Sequence, residues 1–432
     1  MSAVPSSLSA RIVAYEALQE FIPLYPLYQL MFADHGLSAA EISTLFIIWS
    51  TTAFLLEVPS GALADTFSRR RLLVLGSVLS GLGYASWIVL PSYAGFALGF
   101  VLWGASSALI SGTFEALVYD ELAARGAADR YAGLIGRARS AALVLNLAAT
   151  ALASPLYELG GYLLVGVVSL VSCLAQVAVA LSLPEAARVA TADETEEVEP
   201  GAGGGPLGRY ALMLRSGLSE AATSRTVRKA VALVALLGGF LAFDEYFPML
   251  ARDVGASTTL VPLLIAGTVA AQAIGGALAG PAYRMRGSFL GAGLALAAGL
   301  LAWGSLSGAA QGFVPIAVGY GVMQLVIIVA EARLQDSIQG PARATVTSVS
   351  GLFAEVFAVA VYAGFALGSV WFSLPMLVAG LTVPLLLTAL ITPFTLPPPG
   401  IQTDAADEAA GLELRGEGLR REELAGEEGG QR

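Results

Sequence analysis

The sequence predicts an all-α membrane protein with twelve transmembrane helices arranged as two pseudo-symmetric six-helix bundles. Three observations predict it. Only 13% of the 432 residues are charged and 56% are hydrophobic, with a mean hydropathy of +0.73, whereas a soluble domain carries about 25% charged residues. The apolar residues form continuous runs of about 20, the length a helix needs to cross a bilayer, and not the alternating segments of about 10 that build a barrel. Short motifs also repeat between the two halves of the chain at a nearly constant offset.

The runs place helices near 12–33, 42–64, 72–90, 94–118, 133–155, 161–183, 230–251, 259–282, 288–306, 312–334, 344–368 and 372–391. The basic residues test this map. With the N-terminus inside, 22 of the 23 Arg and Lys residues fall on the cytoplasmic side and only Arg252 falls outside. That is a strong positive-inside pattern, and both termini are expected in the cytoplasm. Residues 1–10 lack a basic cluster, so the first span is expected to act as its own uncleaved targeting signal.

The domain organisation follows: 1–183 is the first bundle, 184–229 a cytoplasmic linker, 230–392 the second bundle and 393–432 an acidic tail. The linker opens on DETEEVE (193–199) and GAGGGPLG (201–208) and continues into a stretch, up to Lys229, that suits a helix lying on the membrane surface. From Thr403 to Arg432 nine acids face four arginines, so this solvated, disordered tail carries −5 of the formal −10. Cys173 is the only cysteine and His35 the only histidine, which excludes an intramolecular disulfide and a Cys/His metal cluster.

The halves echo one another. LMFADHGLS (30–38) matches MLARDVGAS (249–257) at an offset of 219, GALAD (61–65) matches GALAG (276–280) at 215, and EALVYD (115–120) matches EARLQD (331–336) at 216. Three matches in order, at equivalent places in the topology, read as six helices plus six.

Between the second and third helices stands GALADTFSRRR (61–71). It resembles the signature of the major facilitator superfamily, roughly G-x-L-A-D-R-x-G-R-R. Gly61, Leu63, Ala64, Asp65, Arg69 and Arg70 fit, and Thr66 and Ser68 replace a usual Arg and Gly. EVPSGALAD and TFEALVYDEL also look like a bacterial branch of efflux-type carriers. The resemblance covers about residues 11–392. It implies a secondary transporter working by alternating access, a small-molecule substrate, no cofactor and a monomer in the bilayer. Two departures weaken drug/proton antiport as a pattern. The helix-five stretch ASPLYELGG (153–161) has its glycines too late, and FVLWGASSALISG (100–112) lacks the arginine often found in helix four.

The resemblance places a gate at the arginine-rich end. Ser68 and the small residues of GALA are expected to bring two backbones close. Asp65 is expected to meet the start of helix eleven near Pro341–Thr345, either an arginine or the positive helix end. A surface ion pair is worth about 0–1 kcal/mol, enough to bias two near-equal states. Glu57, Glu115, Asp120, Glu331 and Asp336 also lie close to the cytoplasmic loops. Glu115 and Asp120 are expected to pair with Arg137 or Arg139, and Glu331 and Asp336 with Arg343.

The acids within spans carry the functional reading, because a charge at the bilayer centre costs about 2.5–3.5 kcal/mol on insertion scales. Glu16, Gln19 and Glu20 form one polar stripe on helix one. Glu20 is roughly 13 Å beyond Arg11 at a rise of about 1.5 Å per residue. Pro23 and Pro26 follow and allow a kink. Asp244 and Glu245 are expected in the outer half of helix seven, and Glu355 lies roughly 18 Å into helix eleven by the same rise. Gln272, Gln324 and Asn146 fall at intermediate depths, with Tyr25 and Tyr28 nearby. No Lys or Arg stands at these levels, so the cavity favours protons and neutral or cationic solutes.

The expected function is proton-coupled export of a hydrophobic neutral or cationic small molecule across a bacterial inner membrane. Glu16, Glu20, Asp244, Glu245 and Glu355 would couple protons or bind substrate. Gln19, Tyr25, Tyr28, Asn146, Gln272 and Gln324 would line the cavity. Import by symport or uniport is the alternative within the class, and a non-transporting sensor the alternative outside it. No G-x-x-x-x-G-K-[ST] loop is present, no nucleic-acid partner is expected, and an enzyme is not expected, since the sequence holds no metal cluster or Cys/His pair and its single His35 lies in the outer loop next to Asp34.

Overall fold

In the computed structural model, residues 5–185, 225–338 and 343–399 are described, apart from the side chains of 58, 62, 65 and 343–345. The linker expectation up to Ser224 and the tail expectation beyond Gly400 lie outside the described residues, as do the side-chain expectations for Asp65 and Arg343. The described residues are almost wholly helical. Their elements are α1 (Ser6–Glu20), α2 (Tyr28–Asp34), α3 (Ala39–Thr66), α4 (Arg69–Val89), α5 (Tyr93–Ile110), α6 (Thr113–Ala123) and α7 (Tyr131–Ser182). After the linker come α8 (Arg225–Gly239), α9 (Phe247–Asp253), α10 (Val261–Ala282), α11 (Gly287–Leu306), α12 (Phe313–Ser337), α13 (Arg343–Gly368) and α14 (Leu374–Thr395).

Ten of the described helices are long and apolar enough to cross a membrane. Two physical details reconcile ten with twelve passes. One uninterrupted stretch, 128–182, turns back on itself at Gly160 and Gly161, where Gly161 takes φ +60°, a conformation a β-carbon would strain. The contacts show the reversal. Asn146 reaches Glu20 on the way out, Tyr162 meets Asp34 at the far end, and Ser182 returns to accept a hydrogen bond from Arg11. The other detail is the first pass, which is made of α1 and α2 with a non-helical link between them.

Helix ends follow from local chemistry. Ser38 opens α3 with a capping box: its hydroxyl accepts from the Glu41 amide at 3.3 Å, and its own amide donates to the Glu41 carboxylate at 2.8 Å. Ser68 caps α4 through the Arg71 amide at 3.2 Å, and Ser92 caps α5 through Gly95. The GALAD expectation is corrected here. These residues continue α3 as helix, the turn is only Phe67 and Ser68, and the space where a Gly61 β-carbon would stand is open.

Helices one and seven are both broken, and at equivalent places. Pro23 and Pro26 do more than kink helix one: α1 stops at Glu20 and α2 begins at Tyr28. In helix seven, residues Phe240–Tyr246 form a 3₁₀ segment between α8 and α9. Adding the offset of 219 read from the sequence to 21–27 gives 240–246. Both far ends close the same way. Gly36 and Gly255 take φ +90° and +87°, and the next amides, of Leu37 and Ala256, donate back to Phe32 and Ala251. That is a Schellman closure in both halves.

Helices pack mainly within the first six passes and within the last six. Across the two sets, α3 meets α13, α7 meets α10, and α2 meets α9. Within each set some backbones touch. A β-carbon on Gly104 would stand 2.9 Å from the Trp49 carbonyl, and one on Gly321 would stand 2.6 Å from the Ala271 carbonyl. In lipid, such close packing replaces the hydrophobic drive that holds soluble helices together.

Candidate functional site

The two broken segments meet between the halves. Glu245, on the 3₁₀ segment, accepts a hydrogen bond from the Tyr28 hydroxyl and another from Gln29 Nε2 at 2.9 Å. Tyr28 and Gln29 are 3% and 1% exposed and Glu245 is half-buried, so both donors of this grip are shielded from water. Tyr28 is therefore a tie between helices one and seven, which corrects its expected place in the cavity wall. Trp87 stacks on it with ring centres 5.3 Å apart.

The polar stripe of helix one divides. Gln19 turns into the first bundle and accepts from Gln176 at 3.3 Å. Glu16 and Glu20 face helix five, where Asn146 donates to Glu20 at 2.9 Å. These two acids, Arg139, Asn146, Asp244 and Gln272 line a cleft of about 460 Å³ between the halves. Asp244 thus joins the helix-one acids, while its neighbour Glu245 is held by α2. Gln324 lines none of the clefts described here, and its Oε1 is buried without a partner among the described residues.

A second cleft of about 670 Å³ lies between α3, α5, α12 and α13 and is lined by Trp49, Ser50, Phe54, Glu57, Gln335, Thr347 and Glu355, among others. Glu355 accepts a hydrogen bond from Ser50. Glu57 lines this cleft beside Glu355, and no described cation pairs with it. A smaller enclosed cavity of about 140 Å³ holds Gln19, Glu20, Tyr25, Ser80, Tyr84, Ser106, Ser107 and Gln176 within the first bundle. Tyr25 and Tyr84 share a hydrogen bond of 3.1 Å there, and Tyr25 stacks on Trp103 with ring centres 5.5 Å apart.

At the arginine-rich end, the charged residues fasten loops within each half. Arg69 pairs with Asp120, which corrects the expected pairing of Asp120 with Arg137 or Arg139. Loop spacing along the chain does not say which loops share a corner. Arg139 pairs with Glu115 at 3.3 Å. Arg70 donates to the Leu183 carbonyl at 3.4 Å, and Arg137 donates to Gly133 on its own helix. In the second half Asp336 accepts from the Tyr283 hydroxyl, Glu331 is exposed, and the buried Arg333 caps the carbonyls of Tyr283, Met285 and Pro397.

The opposite end carries a latch that sequence reasoning did not assemble. Arg252 donates to Asp34 at 2.5 and 3.1 Å, and Tyr162 donates to Asp34 at 2.5 Å. Ser154 donates to the Thr259 carbonyl at 2.7 Å, and Ser43 and Tyr246 share a bond of 2.8 Å. The available signal was Arg252 itself, the one basic residue on that side of the charge map.

Asp34 is the last residue of α2 and Arg252 lies in the last turn of α9, at the ends of their passes. Partial burial raises the Asp34 carboxyl, but the hydrogen bonds from Arg252 and Tyr162 and the Arg252 charge outweigh it and hold it below its ordinary value. A depressed folded-state value means that the latch is fully formed above the ordinary carboxylate value. It is lost only as pH falls through the depressed one. The distance between spin labels on the exposed Leu159 and Leu263 is therefore expected to stay constant from about pH 5 to 8. At neutral pH, Arg252→Gln is expected to widen it in up to about fivefold more of the molecules, as about 1 kcal/mol from an exposed pair allows.

The family model described as Major Facilitator Superfamily matches residues 12–359. The chain belongs to the Major Facilitator Superfamily. It is accordingly a multi-pass secondary transporter and not an enzyme. No curated protein matches it. Among solved structures it is similar to a mutant of the nucleoside transporter NupG, with a TM-score of 0.71 at 12% identity over 89% of this chain and 99% of that one. It is similar to the POT family transporter PepTSo, at 0.68 and 14% over 91% and 98%. It also resembles a bacterial homologue of the human lysosomal transporter Spinster in an inward-facing, unoccupied conformation, at 0.65 and 15% over 91% and 96%. At these identities the likeness is one of superfamily fold.

Proposed function

We propose that this superfamily member is a proton-coupled exporter of a hydrophobic neutral or cationic small molecule in a bacterial inner membrane. Residues 1–183 and 230–392 would rock as two bodies, with both termini in the cytoplasm. The observation that carries this reading is the meeting of two equivalently broken helices beside Glu20, Asp244 and Glu245. Interrupted helices at corresponding places in two repeats mark transport sites in such folds. Acids set inside spans need either a partner or a task. Asn146 partners Glu20, and Tyr28 and Gln29 partner Glu245, with neutral groups, which supports a proton-exchanging role for these two acids. The larger cleft is lined by Glu57, Ser111, Gln335 and Thr347 near the arginine-rich end, while the Asp34–Arg252 latch ties the other end, which supports a cytoplasm-facing reading.

The test is accumulation of a fluorescent lipophilic cation in energised bacteria that lack their own pumps. Wild type is expected to lower accumulation below empty vector, and an uncoupler or Glu20→Gln to abolish the difference. Equal accumulation in wild type and vector, with the protein present in the membrane, would rule out broad cation export. Accumulation above vector would reverse the direction.

A further inference from the structure

The two clefts between the halves have no lining residue in common. They also differ in chemistry. The larger, about 670 Å³, has Glu57 and Glu355 as its only charged lining residues among the described residues, and Trp49, Phe54 and Leu352 as apolar walls. The Trp49 ring stacks on Trp103 with centres 5.0 Å apart, which fixes its orientation. Its indole N–H is buried without an acceptor among the described residues. The smaller cleft, about 460 Å³, sets Glu16, Glu20 and Asp244 against Arg139, with no aromatic wall.

Between them lies the enclosed cavity of about 140 Å³, which shares Ser107 with the larger cleft and Glu20 with the smaller. A water takes about 30 Å³ of liquid volume. This cavity therefore has room for a few waters among the hydroxyls of Ser80, Tyr84 and Ser106, and is too small for a drug-sized solute.

We infer that the clefts carry different cargo. An organic cation binds in the larger one against Trp49, Glu57 and Glu355, while protons load on Glu16, Glu20 and Asp244 in the smaller. This rests on the proton-coupled export proposed above and assigns its two passengers to places. Drug-sized ligands occupy pockets of about 300–1,000 Å³ with apolar walls and few polar groups, and an aromatic face beside carboxylates holds a cation that has shed its water. In the smaller cleft Arg139 opposes a resident organic cation but not the neutralisation of a carboxylate by a proton. The water-sized cavity lets charge in one cleft be felt in the other without exchange of solute.

The test uses the full chain in proteoliposomes with tetraphenylphosphonium as the probe, measuring its Kd and its flux driven by a pH gradient. Trp49→Ala and Glu355→Gln are each expected to raise Kd by about tenfold or more. Glu20→Gln and Asp244→Asn are expected to leave Kd within about threefold of wild type and to abolish the pH-driven flux. Monodisperse elution of each variant, and recovery of binding in Glu355→Asp, separate loss of the site from loss of the fold. The inference is overturned if Glu20→Gln weakens binding as much as Glu355→Gln, or if Glu355→Gln and Trp49→Ala leave Kd unchanged. In either case pH-driven flux in wild type keeps the export reading. A wild type that neither binds the probe nor moves it with the pH gradient removes both.

Discussion

Glu245→Leu is expected to lower the melting temperature of the purified protein by about 5 °C or more, while Glu245→Gln stays near wild type. The reason is the grip between helices one and seven. Tyr28 and Gln29 both donate to the Glu245 carboxylate, and both are buried. Leucine removes the acceptor and orphans the buried Tyr28 hydroxyl donor, at about 1–3 kcal/mol, while Gln29 keeps only the Tyr28 oxygen at 3.2 Å. Glutamine keeps an oxygen of the same reach, so Tyr28 retains its partner. Neither break can absorb the loss by extending a helix. The first contains two prolines, which supply no amide hydrogen. The second is a 3₁₀ segment, whose hydrogen bonds are poorer than an α-helix's. Thermal unfolding in detergent, followed by tryptophan fluorescence, checks the contrast. Equal melting temperatures for the two variants would show that the carboxylate does not hold these helices together.

The second large effect concerns the backbone contact of α10 and α12. A β-carbon on Gly321 would meet the Ala271 carbonyl at 2.6 Å, and one on Gly275 would meet the Gly321 carbonyl at 2.0 Å. These obstacles are backbone, so a side chain can be accommodated only by moving whole helices apart. Overpacking of a fitted core costs about 1–3 kcal/mol, and more where backbone must shift. Gly321→Leu is expected to abolish monodisperse protein on size exclusion. The control is Gly276→Ala, whose nearest obstacle is the flexible end of Ile328 at 3.3 Å; it should purify as wild type does. A well-behaved Gly321→Leu protein would mean that these helices are not held at backbone contact.

Much of the fold was legible because lipid imposes it: an apolar run of about 20 residues has little choice but helix. The three internal echoes fixed equivalence between the halves, and the offset of 219 maps one broken segment onto the other. The break in helix one announced itself through Pro23 and Pro26. The break in helix seven did not, because Phe240–Tyr246 contains neither proline nor glycine. The acids were legible as costly residues, but their partners were not. Nothing in the spacing says that Glu245 faces Gln29 at a separation of 216 residues, or that Ser50 reaches Glu355 across 305. Such pairings depend on how two bundles are set against each other. The same holds for Arg69 at the start of α4 and Asp120 on α6, which only packing brings to one corner.

The central claim is that half-buried carboxylates within the spans couple protons to solute movement, and proton flux measures it most directly. Proteoliposomes containing the full chain and a pH-sensitive dye in the lumen would be loaded with a lipophilic cation and diluted into cation-free buffer. Wild type is expected to acidify the lumen as the cation leaves, because protons exchange for it. Glu20→Gln, reconstituted in equal amount, is expected to give no signal above empty liposomes. The same acidification in wild type and Glu20→Gln would contradict the account, since it would place proton coupling elsewhere than at this acid.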